Sequence, residues 1–388
     1  MSARGGRPMR VALVTSSYNY IADGVALTLN RLVAYLESRG VEVLVFAPVA
    51  KAPAFDHDGE IAPVPSIALP LRSEYRLAMG LAGAAKRRLE AFDPDIVHIA
   101  APDFLGHQAL AIGRARAIPV VASYHTRYET YLKDYGLDFL HDFVLARLRK
   151  FYAGCDEVYA PSASMVESLL ADRFAANFHL WQRGVDTERF QPAKRSDDLR
   201  AAWGASVDTP VIAFVSRLVR EKRLDTVAGV FERLAAAGVP HRAVVVGDGP
   251  DRAALQRRLP DAVFTGFLNG DDLPRAYASA DIFLFPSDTE SFGNVTLEAM
   301  ACGLPTLCAD ATGSRSLVEP GVTGWLAPAT RDDTFFEHAR VLANEPALRA
   351  RMGAAARARS LTFSWDETMA GLLSRYEALV YAPGRAAA

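Results

Sequence analysis

Short Val- and Ile-rich apolar runs alternate along the chain with longer amphipathic stretches. "RVALVTS" predicts a strand, "VALTLNRLVAYLESRG" a helix ending at Gly40, and "VEVLVFAP" a second strand. The alternation continues with "GLAGAAKRRLEAF" as helix, "DIVHIAAP" as strand, "FLGHQALAIGRARA" as helix and "IPVVASYHT" as strand. Near-continuous apolar strands between helices imply parallel sheets covered on both faces. A polar, irregular segment, "GVDTERFQPAKRSDD", then reads as a linker. Beyond it "PVIAFVSR", "HRAVVVGDG", "AVFTGFL", "DIFLFPS" and "LPTLCAD" predict strands, with amphipathic helices between them. A last helix runs from near Trp365 to near Tyr381. The expectation is an α/β chain of two Rossmann-like, doubly wound domains, residues 1–190 and 191–364, with a terminal helical segment over 365–388. Ligands of such sheets sit beyond the carboxyl ends of the strands, so functional residues should follow strands directly.

Composition acts mainly by exclusion. Half of the 388 residues are apolar, enough for two cores. With 43 basic and 45 acidic residues, net charge gives no argument for a nucleic-acid partner. Cys155, Cys302 and Cys308 are odd in number and lack metal-ligand spacing, which reads as reduced core residues of a cytoplasmic protein. "MSARGGRPMR" is basic, but the apolar run after it turns polar at Thr15, unlike a signal peptide. No window reaches the ~18 uninterrupted apolar residues of a spanning helix, so any membrane contact is expected to be peripheral.

The candidate chemistry sits after strands. In "ESFGNVTLEAMACGLP", Glu290 and Glu298 flank Phe292-Gly293-Asn294. A helix starting near Asn294, a good N-cap type, would offer free N–H groups and a positive dipole end to an anion. Gly293 permits close backbone approach. Glu298, one turn on, could accept two hydrogen bonds from a vicinal diol such as a ribose, and Glu290 could hold another polyol. The bland alternative is a capped helix with two solvated glutamates. "SRLVREKRLD" brings Arg217 and Lys222 after the first strand of the second half, where a pyrophosphate would draw both. Its alternative is a solvated basic turn, since Arg220, Glu221 and Arg223 crowd the same residues.

"SRLVREKRLD", "VVGDGPDR", "TGFL" and "ESFGNVTLEAMACGLP", in this order over the last half of the chain, resemble the nucleotide-sugar domain of the family-four retaining glycosyltransferases, which have the GT-B fold. The resemblance implies two Rossmann-like domains facing across a cleft. It implies that Arg217 and Lys222 neutralise the donor diphosphate, that Glu298 holds the ribose and Glu290 the transferred sugar. Backbone N–H groups of Phe292, Gly293, Asn294 and Val295 would meet sugar and phosphate, and the backbone near Leu268 the base. "SWDETMAGLLSRYEALV" resembles the family's closing helix, which crosses back to the first domain. In the first half, "YIADGVALTLNRL" has Asp23-Gly24 where the family often has two glycines. Gly24 can supply the turn at the helix start, but Asp23 would repel a phosphate unless it points away. "SYHTRYETY" places His125 where the family has an active-site histidine near the transferred sugar; His98, His107 and His179 read as structural.

No carboxylate can be assigned as a covalent nucleophile from the sequence; the resemblance implies front-face substitution with retention, the leaving phosphate helping to deprotonate the acceptor. No Asp-x-Asp pair stands at a strand end, so neither a metal nor another cofactor is expected beyond the nucleoside-diphosphate sugar, UDP- or GDP-linked, as co-substrate. "PSIALPLRSEYRLAMGLAGAAKRRLEAF" mixes apolar residues with Arg72, Arg76, Lys86, Arg87 and Arg88. It reads either as a core helix with a basic face or as a surface for anionic membrane. With "SYHTRYETY" it resembles the subgroup of sulfoquinovosyl-diacylglycerol synthases and GDP-mannose-dependent α-mannosyltransferases, which implies a lipid acceptor at the inner face of the cytoplasmic membrane. The rivals are a sugar-nucleotide epimerase of similar architecture and a non-catalytic sugar-nucleotide-binding scaffold. A Rossmann dehydrogenase lacks support, because "GDGPDR" is not G-x-G-x-x-G.

Overall fold

The computed structural model describes residues 7–21, 23–69, 72–125, 127, 136 and 138–382. The chain divides into two compact units, Met1–Gln182 with Asp366–Ala388, and Arg183–Trp365. The first holds strands β1 (Arg10–Val14), β2 (Glu42–Ala47), β3 (Glu60–Pro63), β4 (Ser66–Leu69), β5 (Arg72–Ala78), β6 (Ile96–Ile99), β7 (Val120–Ser123), β8 (Glu157–Ala160) and β9 (Phe178–Leu180). The second holds β10 (Val211–Val215), β11 (Arg242–Val246), β12 (Val263–Gly266), β13 (Ile282–Phe285), β14 (Thr306–Ala309) and β15 (Gly324–Ala327).

Each unit has a parallel sheet. The orders are β3-β2-β1-β6-β7-β8-β9 and β12-β11-β10-β13-β14-β15. This is the expected α/β, doubly wound architecture. The direction of strand addition reverses between β1 and β6, and again between β10 and β13. All five residues of β10 are buried, and the Phe283 and Phe285 rings stack at 5.7 Å. Each such side chain contributes about 1.5–3 kcal/mol by leaving water. No described helix is long and apolar enough to cross a membrane.

Two readings of the sequence need correction. The stretch from Pro65 to Phe92 is not one amphipathic helix. β4 and β5 form an antiparallel hairpin, with Ile67 opposite Leu77, and a helix follows only over Ala84–Phe92. Gly80 and Gly83 take φ of 97° and 54°, left-handed values that keep the chain out of a helix until Ala84. Pro70 and Leu71 of this stretch lie outside the described residues.

The second correction concerns the linker. The chain passes from one unit to the other at Gln182–Arg183 rather than near residue 190. The polar segment that follows is packed into the second unit. Val185 N–H donates to Phe363 O at 3.1 Å, and the Arg357 guanidinium donates to Phe190 O at 2.9 Å and Thr187 O at 3.0 Å. Polar composition here reflects side chains around a backbone held by an arginine. The return passage is tied to the same place, for a Cβ on Gly184 would lie 2.4 Å from the Trp365 backbone nitrogen. Gly184→Ala is therefore expected to destabilise the second unit by about 1–3 kcal/mol, the usual range for overpacking, read as a lower midpoint in thermal unfolding.

Candidate active site

The two motif loops of the second unit leave adjacent strands where the strand order reverses. Ser216–Arg223 follows β10, and Pro286–Gly293 follows β13. At such a point neighbouring loops turn to opposite faces and leave a crevice between them. The glycines of "VVGDGPDR" serve the first of these loops by close packing. A Cβ on Gly247 would lie 1.9 Å from Ser216 O, and one on Gly249 2.3 Å from Leu218 O. Leu218 N–H donates to Asp248 O at 2.9 Å across the same contact.

Lys222 forms a largely buried ion pair with Glu290, whose carboxylate also accepts from Ser287 Oγ at 3.4 Å. The Lys222 ammonium lies 5.9 Å from the Phe285 ring centroid. Next to it, Arg223 grips Asp288 with two bonds of 2.9 and 2.6 Å. Arg217 reaches Glu221 at 3.7 Å, but its side chain is 57% exposed, so this pair holds it only weakly. The structure thus brings Lys222 and Glu290 together and leaves the Arg217 guanidinium open to an incoming group. Asp288, whose signal was only its place after a strand, was missed in the sequence.

The helix Asn294–Ala301 corrects another expectation. Asn294 is its first helical residue, not its cap; the cap position belongs to Gly293, and no side chain caps the first turn. Gly293 takes φ of 98°, so the helical dihedrals start only after it. The first-turn N–H groups at Asn294 and Val295 can therefore receive an anion. Phe292 is buried against Phe363 at 6.1 Å. The loop is fixed from behind, since Gly313 N–H and Thr312 Oγ1 donate to Glu290 O at 3.0 and 3.1 Å.

Glu298, half-buried one turn in, accepts a hydrogen bond from Tyr277 OH at 3.0 Å. Burial pushes its carboxyl up to about 7, against the Tyr277 hydrogen bond and the Arg189 charge, which lower it. Leu268 lies just past β12, half-buried on the core, while the neighbouring Phe267 is 76% exposed. That exposed ring beside the expected base position was also missed, because an aromatic after a strand reads as core.

In the first unit, His125 is buried two residues beyond β7, with Trp181 edge-on at 5.6 Å. Thr126 and residues 128–131 of the same motif lie outside the described residues. Gly24 opens the helix Gly24–Ser38, but the anion position there is taken. Asp23 caps the helix, its carboxylate accepting from Val25 N–H at 3.1 Å and Ala26 N–H at 2.8 Å. A phosphate at Gly24 would have to displace a carboxylate already bonded to these groups. His98, His107 and His179 are engaged internally with Tyr376, with Asp103 O and with Arg375. The three cysteines are free and buried, and burial pushes their thiols up to about 12. Among the described residues no three His, Cys, Asp or Glu side chains group as metal ligands.

Residues 195–359 match a family model described as glycosyl transferases group 1, and residues 22–189 one described as glycosyltransferase family 4. The chain is 38% identical over 379 residues to a GDP-mannose-dependent alpha-mannosyltransferase of Mycobacterium tuberculosis (strain CDC 1551 / Oshkosh), covering 96% of this chain and 97% of that one. It is 31% identical to a sulfoquinovosyl transferase of Arabidopsis thaliana, over 92% of this chain and 71% of the other. An alpha-monoglucosyldiacylglycerol synthase of Acholeplasma laidlawii is 24% identical, over 81% and 84%. Among solved structures, sucrose-phosphate synthase from Thermosynechococcus elongatus shares the fold at a TM-score of 0.78 and 20% identity, over 96% of this chain and 99% of that one.

The raised Glu298 carboxyl gives a pH prediction. Between the unfolded value near 4.5 and about 7, the folded chain holds more protons than the unfolded one, so this group's contribution to stability falls as pH rises through that window. A diol needs the ionised carboxylate as acceptor. Nucleoside-diphosphate binding is thus expected to tighten from pH 6 to pH 8 and to release roughly half a proton at pH 7. Calorimetry in buffers of different ionisation heat measures the release, and Glu298→Gln should reduce it.

Proposed function

This chain belongs to the family-four glycosyltransferases, and from that premise we propose that it moves a hexose, with retention, from a nucleoside-diphosphate sugar to a hydroxyl of a membrane lipid. The observation that carries the reading is the Lys222–Glu290 pair beside an uncapped helix start, where the strand order of the second sheet reverses. A diphosphate placed there gains Arg217, Lys222 and the helix dipole as countercharge. When Lys222 turns to the phosphate, Glu290 is released to accept from a sugar hydroxyl. Glu298 takes the ribose diol, and the exposed Phe267 gives the base a ring to lie on. In the transfer, the acceptor oxygen bonds to the anomeric carbon as its bond to phosphate breaks. The acceptor's proton passes to the departing phosphate on the same face. Charge builds on that phosphate, which is where fixed cations and helix N–H groups stabilise most. This set needs neither a metal ion nor a further cofactor. His125 is assigned by its motif to the transferred sugar.

A relative named for GDP-mannose makes GDP-mannose the first donor to test, and one named for diacylglycerol makes a lipid the first acceptor. The first unit offers a matching surface. Ile67 and Leu77 of the β4–β5 hairpin and Met79 just after it are 51, 40 and 49% exposed, and Lys86, Arg87 and Arg88 on the following helix are exposed too. Such a mixture suits the inner face of the cytoplasmic membrane.

Purified protein in EDTA, given GDP-mannose or UDP-glucose with diacylglycerol or phosphatidylinositol acceptors, is expected to form an α-linked glycolipid from one donor. A β-linked product, or nucleotide binding without transfer to any lipid, would sink the reading. Lys222→Met should lower kcat by roughly 10²–10³ while the fold persists. In flotation, the protein should rise with anionic liposomes and stay down with neutral ones; indifference to both would remove the membrane part of the proposal.

A further inference from the structure

Strands buried on both faces are normally apolar throughout. One face of the first sheet departs from this across four neighbouring strands. His98 of β6 pairs in register with Val121, so Ser123, two residues on, shares its face. Ser123 is in register with Tyr159 of β8, and Tyr159 with His179 of β9. Trp181, two residues past His179, extends the same row. His98, Ser123, Tyr159 and Trp181 are all at most 2% exposed. A buried row of this kind must be hydrogen-bonded or it is costly.

The last helix, Trp365–Val380, supplies partners. The fully buried Tyr376 hydroxyl bonds His98 Nδ1, and Ser123 Oγ bonds His98 Nε2. A neutral imidazole has one donor and one acceptor nitrogen, and the two hydroxyls can serve either. Both ring nitrogens are therefore used, and the ring is pinned. On it rests the Trp181 indole, 5.7 Å away edge-on, which also meets the His125 ring at 5.6 Å. Ser123 also begins the short backbone step to His125. His125 thus meets this layer twice, through Trp181 and through the chain from Ser123. Beside the layer, Arg375 of the same helix pairs with the buried Glu157, which also accepts from Tyr159 OH at 3.0 Å. That pair holds the helix without touching His98.

We propose that His98, Ser123, Trp181 and Tyr376 form a positioning layer for His125, so that the setting of this imidazole depends on the seating of the chain's last helix. The inference rests on the functional reading above, in which His125 serves the transferred sugar. Tyr376 does not touch the sugar; it acts through His98. Removing its hydroxyl leaves one His98 nitrogen unserved, frees that ring on one side, and shifts the ring that Trp181 meets edge-on, and through Trp181 the His125 ring.

The test is Tyr376→Phe, read in two ways. The first is the 13Cε1–1Hε1 resonance of His125, identified by its loss in His125→Ala. The second is transfer kinetics. The resonance is expected to move, and kcat to fall by about ten- to a hundredfold with donor KM within about twofold, as for a misplaced group rather than a lost binding contact. A folded Tyr376→Phe with an unmoved His125 resonance and unchanged kcat would overturn the proposal. Should the variant not fold, Ser123→Ala removes the other bond to His98, and the same outcomes decide. If His125→Ala transfers normally, the role given to His125 fails, while the resonance still decides whether Tyr376 sets the ring.

Discussion

A parallel sheet can grow on both sides of its first strand only if the chain reverses its direction of strand addition once. Right-handed crossovers then carry the helices to opposite faces, and two loops separate at the reversal. In the second unit those loops follow β10 and β13. They hold Arg217, Lys222 and Arg223 on one side and Asp288, Glu290 and Gly293 on the other. The strands are apolar and buried, so the order they adopt is fixed by core packing. The charges arrive at one place as a consequence.

The electrostatics follow from that placement. Charges gathered in a half-buried crevice cost free energy unless compensated. Lys222 is compensated by Glu290 and Arg223 by Asp288, while burial raises the Glu298 carboxyl toward neutral pH. Arg217, paired only weakly with Glu221, is a loosely held cation beside these pairs. A diphosphate bound as proposed would exchange partners with these ion pairs.

Much of this was legible in the sequence. Short apolar runs between amphipathic stretches located the central parallel strands, though β3, β8, β9 and β15 went unread, and the motifs gave the family, which the matched models and relatives bear out. Legibility stopped where structure depends on one dihedral or on a distant partner. Asn294 looked like a cap, but the left-handed turn of Gly293 takes that place. The hairpin after Pro65 was hidden because its apolar spacing fits a helix until Gly80 and Gly83 interrupt it. The passage between units was set near residue 190 because "GVDTERFQPAKRSDD" is polar, whereas Arg357, some 170 residues away, packs that backbone into the second unit. Asp23 could be named as a problem for an anion, but only the fold shows its carboxylate capping its own helix.

The division of the chain has a consequence for its biosynthesis. The second unit is one continuous stretch, Arg183–Trp365, whereas the first is split between the beginning and the end of the polypeptide. As the ribosome releases the chain in order, the strands carrying His98, Tyr159 and Trp181 emerge long before Tyr376 and Arg375, which serve that polar row. The second unit has all its residues first and can close while the first still waits. Until the last helix is made, the face that carries His98 and Glu157 lacks these partners. Arg375 and Tyr376, made after the whole of the second unit, complete it.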